Sequence, residues 1–289
     1  MQERERLGAI DQIAKLGDAD RYVAALFVPP SARPHLLALI AFNVELARIG
    51  ELVSEPALGE IRLQWWRDAL DRAVRCNAAR GEATRGEETG NPVADAIGTL
   101  LQTYPHLRAA LERLIDARRF DVAVKIMPDW PALQTYVDDT AGAMFVTAAG
   151  LLAEGADGAE TAARAGGFAY GVTGLMRALP VHAARGRVDL PADALLRHGT
   201  TPEQVLAGET TPGLADLLAE FRRQANAKLD EASRLVQGLD PMLRTAFLPL
   251  SLVGPYLSAL AREGHDALHQ IAAINPLYRL WRMATWRGR

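Results

Sequence analysis

β-Branched residues seldom alternate with polar ones in this chain, and alanine, leucine and arginine dominate it instead. That leaves little room for a sheet. Half-buried strands need a period of two, whereas amphipathic helices need about 3.6. The favoured residues also lose little freedom on entering a helix. The expected fold class is therefore all-α. The 289 residues suffice for one large domain or two small ones. At 49% hydrophobic and 23% charged residues, the chain can bury a sizeable core. No internal repeat and no long polar linker divides it. A single domain over residues 1–289 is expected, with a core about 20–268 and a basic, aromatic tail over 269–289.

Punctuation places the helices. Ser31-Ala-Arg-Pro34 opens an apolar segment from Leu36 to Val53, with serine as a candidate cap. A second helix follows Pro56 and carries Trp65 and Trp66. Residues Arg80 to Asn91, rich in Gly, Glu and Thr, read as a loop. Shorter helices are predicted over Val93–Thr103 and Pro105–Phe120. Asp129-Trp-Pro131 starts another, running through Ala141-Gly142 to Leu152. A turn at Ala156–Gly158 precedes a helix from Ala159 to Leu179, which Pro180 ends or kinks. Arg185 to Gly199 connects to a long helix from Thr211-Pro212 to about Leu239. Asp240-Pro241 begins a further helix, interrupted near Pro249 and Pro255.

Several functions are disfavoured. A net charge of −3 argues against general nucleic-acid binding. The lone cysteine, Cys76, allows no internal disulfide and suits a reducing compartment. The charged N-terminus precedes no apolar run, so no signal peptide is expected. No stretch reads as the roughly 18 apolar residues of a spanning helix. The expectation is a soluble or peripheral protein, cytoplasmic and at most at the inner face of a membrane. Nucleotide loops, zinc spacings and nucleophile elbows are absent. Asp138-Asp139 looks like a metal pair, but adjacent helical residues point about 100° apart. A structural or capping role suits them better.

Four segments in order carry a resemblance. Leu37-Ala-Leu-Ile-Ala-Phe42-Asn-Val-Glu45-Leu-Ala47-Arg-Ile-Gly-Glu51 resembles the first signature of squalene and phytoene synthases, where Ala-Phe-Cys-Arg precedes an Asp-x-x-x-Asp pair. Leu114-Ile-Asp116-Ala-Arg-Arg-Phe-Asp121 and Tyr136-Val-Asp-Asp-Thr-Ala-Gly142 follow. Ala184-Arg-Gly-Arg187-Val-Asp-Leu-Pro191 is similar to the family's Arg-Arg-Gly-Arg-Val-Tyr-Leu-Pro. The resemblance runs from about Asp20 to Leu268. It implies an isoprenoid synthase fold: a helical bundle with a central cavity in which Mg²⁺ ions, held by aspartates, make the diphosphate of a prenyl substrate a leaving group.

The departures are as informative. The first aspartate pair falls on Ala47 and Glu51, the second on Ala178 and His182. Three of the four are not carboxylates, and alanine offers magnesium no donor. Phe42-Asn-Val-Glu-Leu-Ala47, Val53-Ser-Glu-Pro-x-x-Gly59, Arg62-Leu-Gln-Trp-Trp66 and Leu175-Met-Arg-Ala-Leu-Pro-Val-His182 resemble one subgroup of that family. It contains the mitochondrial complex I assembly factor and its α-proteobacterial relatives. The resemblance implies a role in assembly of that complex.

Candidate residues carry two readings each. Glu51 and Glu55 form a shifted metal site if helix persists that far, which Pro56 disfavours, and solvated acids otherwise. His182, with Arg177, Arg185 and Arg187 near it in sequence, could hold a diphosphate without metal, or belong to a surface basic cluster. Arg21 and Tyr22 sit where the family has polar residues near diphosphates; otherwise they make helix-start contacts. Trp65 and Trp66 read first as core. Asp116 and Asp121, beside Arg118 and Arg119, read first as ion-pair partners. The tail, with Arg279, Leu280, Trp281, Arg282, Trp286 and Arg287, suits a membrane interface or a docked helix.

Two main functions stay open. One is an assembly or lipid/prenyl-binding protein without standard catalysis, needing no cofactor. The expected partners are a prenyl diphosphate or lipid ligand, subunits of respiratory complex I, and a membrane surface touched by 276–289. The other is an active head-to-head prenyltransferase requiring Mg²⁺.

Overall fold

A short polar side chain before a proline recurs along the chain, at Asn91-Pro92, Thr201-Pro202, Thr211-Pro212, Asp240-Pro241 and Asn275-Pro276. The computed structural model describes residues 3–53, 55–78, 89–153, 155 and 158–286. Each of those prolines is there the first helical residue, and the preceding side chain accepts a backbone N–H of the first turn. Proline fits this place because its missing N–H would have had no helical partner. Asp129 caps in the same way, accepting from the Ala132 N–H at 2.9 Å. The predicted cap Ser31 does not serve. The N-cap residue is Ala32, which makes no side-chain bond, and Pro34 alone supplies the start signal.

By internal contacts the chain forms two compact units. The first comprises residues 1–123 and 146–156. Its helices are α1 (Glu3–Gly17), α2 (Ala19–Ala25), α3 (Arg33–Leu52), α4 (Pro56–Ala78), α5 (Pro92–Thr103) and α6 (Arg108–Ala123). Helix α3 is the centre of this unit, packed by α1, α5 and α6, while α4 covers α5 and α6. Phe42 is fully buried on α3 and meets the edge of Trp66 at 5.1 Å, so Trp66 is core as expected. A Cβ on Gly50 would lie 2.7 Å from the Asp121 carbonyl oxygen, so α3 reaches α6 only because residue 50 is glycine.

The second unit comprises residues 124–145 and 157–289. It contains α7 (Trp130–Val137), a wide helical turn over Asp138–Gly142 and the start of α8 (Ala143–Leu152). After it come α9 (Ala159–Ala184), α10 (Ala192–Arg197), α11 (Pro202–Leu206), α12 (Pro212–Gln237), α13 (Pro241–Arg244), α14 (Val253–Leu260) and α15 (Pro276–Thr285). Helices α9 and α12 lie along one another and form the spine. Trp130 lies 5.8 Å from the Phe168 ring on α9 and 5.3 Å from Phe221 on α12, tying α7 to both. Phe145 stacks on Phe247 at 5.6 Å.

The fold is all-α. Among the described residues there is no strand, only one isolated bridge between Ile126 and Val188. Pro180 does not end α9, which continues to Ala184. The stretch Pro241–Leu260 is, by length and composition, apolar enough to cross a membrane, contrary to the sequence expectation. It is mostly buried, and a 3₁₀ segment over Thr245–Leu252 interrupts it, as befits core. The predicted loop over 80–91 lies outside the described residues except at its end, as does most of the turn at 156–158.

Candidate functional site

In the first unit, the first-signature positions lie on the last turns of α3. Ala47 is half-buried and Glu51, one turn later, is exposed. Glu55 does not continue that register. The helix stops at Leu52, Val53 is extended, and Glu55 stands exposed before α4 begins. The helical spacing that would aim Glu51 and Glu55 the same way is therefore lost, as Pro56 foretold.

Arg21 and Tyr22 are engaged by neighbouring acids. Arg21 Nη1 donates to Asp18 at 2.7 Å, and the Tyr22 hydroxyl donates to Asp11 at 3.0 Å. Burial, then the Asp11 contact, raises the tyrosine above its ordinary value. A buried network lies beneath the signature. Arg118 donates to Asp121 at 2.9 Å and to the Asn43 amide oxygen at 2.9 Å. Asn43 stands where the family has cysteine, so the α3–α6 seam here is polar and bridged by arginine. Asp116 pairs instead with Arg67 on α4.

In the second unit, the last signature is a built turn. Helix α9 ends at Ala184. The Gly186 N–H then bonds the Ala183 carbonyl and the Arg187 N–H bonds that of His182, both at 2.9 Å. Gly186 has φ +75°, the left-handed conformation that this helix stop requires. The chain next joins residues 125–127, with the Val188 N–H on Lys125 O and the Met127 N–H on Val188 O, both 2.8 Å. Pro191 then leads into α10.

This turn folds residue 189 back onto the helix it has left. Asp189, only 2% exposed, accepts from His182 Nδ1. Arg187 Nε lies 2.8 Å from one Asp189 oxygen and Nη2 3.2 Å from the other. Burial alone would raise the Asp189 carboxyl. The His182 hydrogen bond and the Arg187 charge outweigh it and hold it below the usual carboxylate range. Asp189 thus fixes the His182 ring through Nδ1, and the other ring nitrogen, Nε2, points away from that bond.

The remaining candidates are dispersed. Arg177 lies over the Tyr256 ring at 3.5 Å and donates to the Ala272 carbonyl at 3.2 Å. Arg185 is exposed at the end of α9, and Ala178 is half-buried one turn before His182. Of the predicted cluster, His182 and Arg187 come together, and the residue that joins them was not singled out from sequence. Its signal was an acid between Val188 and Leu190, where the family pattern has tyrosine. Asp138 and Asp139 open the wide turn; burial raises Asp138, opposed by Arg164 at 3.9 Å. No cluster of three or more potential metal-binding side chains occurs among the described residues.

Comparison with known proteins agrees with this architecture. The sequence profile described as "Squalene/phytoene synthase" matches residues 14–282. NADH dehydrogenase (ubiquinone) complex I, assembly factor 6 of Mus musculus is 26% identical over 258 residues, covering 89% of this chain and 74% of that protein. The chloroplastic phytoene synthase of Daucus carota is 27% identical over 266 residues, covering 90% of this chain and 64% of that one. In fold, the chain is similar to the squalene synthase HpnC of Alicyclobacillus acidocaldarius, with a TM-score of 0.75, 24% identity, and coverage of 91% and 95%. The chain belongs to the squalene/phytoene synthase family and has its isoprenoid synthase fold.

Proposed function

We propose that this protein lacks the family's magnesium-dependent prenyl transfer and acts in the assembly of respiratory complex I. One observation carries the first half. At the second signature, Ala178 supplies no donor atom, and His182, in place of an aspartate, is turned by Nδ1 onto the buried Asp189–Arg187 pair. Magnesium takes hard oxygen ligands in near-octahedral geometry, and an alanine–imidazole pair does not fit it. At the first signature Ala47 is equally barren, and only Glu51 keeps a carboxylate.

The second half rests on the relatives named complex I assembly factor 6, matched over nearly the whole chain. The client in this reading is a subunit or subcomplex of that membrane enzyme, met at the cytoplasmic side of the membrane. A prenyl or lipid ligand remains compatible with the fold and needs no turnover. His182, Arg185 and Arg187, all in the second unit, are the side chains we assign to an anionic group of such a ligand. The alternative, an active head-to-head prenyltransferase using Mg²⁺, draws on the phytoene synthase match and the retained Arg-Gly-Arg-Val-x-Leu-Pro turn.

Deletion of the gene tests the assembly reading. Isolated membranes are expected to lose NADH:quinone oxidoreductase activity and the intact complex, while other respiratory activities persist. Wild type and Glu51→Ala should both restore it. Undiminished activity in the deletion strain would contradict the reading.

A further inference from the structure

A surface cavity of about 890 Å³ lies within the second unit, walled by α12, α14 and residues 273–282. Four arginines line it: Arg222 and Arg223 on α12, Arg262 just past α14, and Arg282 on α15. No acid lines it. Arg282 donates to the Ser251 carbonyl at 3.3 Å. Arg222, Arg223 and Arg262 form no ion pair with any acid among the described residues. Burial, and then the charge of Arg223, lowers Arg222 from its ordinary value, as expected for like charges gathered without a counterion.

The helix beside this cavity is mounted unusually. In α15 the buried residue is Met283, at 1% exposure, and Arg279 and Arg282 are half-buried with it. The apolar side chains point outward: Leu277 is 75% exposed, Trp281 56%, Leu280 43% and Tyr278 43%. Tyr278 and Trp281 stack at 5.6 Å, and Tyr278 also lines the cavity. A helix that only completed a core would bury this face. Here an aromatic, apolar ledge adjoins a cationic cavity, which matches a ligand that is anionic at one end and hydrocarbon at the other.

We infer that α15 and the Arg222–Arg223–Arg262 cavity form a docking site for an anionic phospholipid, the cavity taking the phosphate-bearing headgroup and the Leu277–Trp281 face entering the membrane interface. Charge complementarity favours lipid over a protein partner: the headgroup supplies the counterion the arginines lack, and the acyl region covers the ledge. The inference does not depend on the complex I reading.

Vesicle co-sedimentation of the full chain tests it, with phosphatidylcholine alone and with part of it replaced by phosphatidylglycerol. The protein should bind the anionic vesicles and not the neutral ones. The triple variant Arg222→Gln, Arg223→Gln, Arg262→Gln should weaken binding on the order of 100-fold. Leu277→Gln with Trp281→Gln should weaken it independently. Circular dichroism of both variants should match wild type, since Arg223, Arg262, Leu277 and Trp281 are exposed and the half-buried Arg222 forms no ion pair with any acid among the described residues. Indifference to vesicle charge, or equal binding by the triple variant, overturns the site. So does inorganic phosphate saturating the arginines without any vesicle binding, which would mark a free-anion site. Vesicle indifference in which Trp281→Gln instead releases a co-purifying polypeptide would make the face a protein interface, and overturns it equally.

Discussion

At position 189 a single acid decides how the second unit closes its long helix. Asp189 is buried between His182 and Arg187, and each oxygen meets an arginine nitrogen. Removing one partner of such a pair leaves a charge without compensation, which typically costs about 3 kcal/mol or more. Asp189→Asn should therefore lower stability by roughly 3 kcal/mol in denaturant unfolding. Arg187→Met with Asp189→Leu should recover much of the loss, since nothing charged remains buried. The pH dependence has a definite sign. The folded carboxyl lies below its unfolded value, near about 3.9, so its contribution is complete above that value. It disappears as pH falls through the lower folded value, and Asp189→Asn should flatten that part of the acid-unfolding curve.

At the scale of elements, the paired α9 and α12 helices organise the second unit, with Trp130 seated against Phe168 and Phe221. Phe221 is 2% exposed, so Phe221→Ala should cost about 3–5 kcal/mol, read as a lower denaturation midpoint. The starts of α12 and α13 were legible in sequence because a cap followed by proline is local chemistry: Thr211-Pro212 and Asp240-Pro241 needed no tertiary information. Pro180 was not so readable. A proline removes one helical bond and crowds the preceding turn, yet α9 runs on to Ala184, with Ala183 buried. The short α10 and α11 went unseen for the converse reason, being too brief to show a period. Glu55 was legible as far as Pro56 made it so: the helix ends before it. Asp189 was not, because its partners are brought to it by a left-handed glycine turn rather than by helical spacing. The arginine cavity was equally hidden, since Arg222 and Arg262 meet only through the packing of α12 and α14.

At the scale of the whole molecule, the chain has the fold of the squalene/phytoene synthase family, and in the reading proposed above it replaces the oxygen donors of the magnesium sites. Ala47 and Ala178 provide none, His182 is held by a buried carboxylate, and of the four positions Glu51 keeps a carboxylate. A protein so altered keeps a helical scaffold and an apolar interior that selection can turn to binding. The proposed use in assembly rests on the relatives named complex I assembly factor 6. The most direct test is diphosphate release from farnesyl or geranylgeranyl diphosphate, measured with purified protein across a Mg²⁺ titration. No magnesium-dependent release above the protein-free background, unchanged in Glu51→Ala, is the predicted result. Release that rises with Mg²⁺ and vanishes in Glu51→Ala would contradict the account.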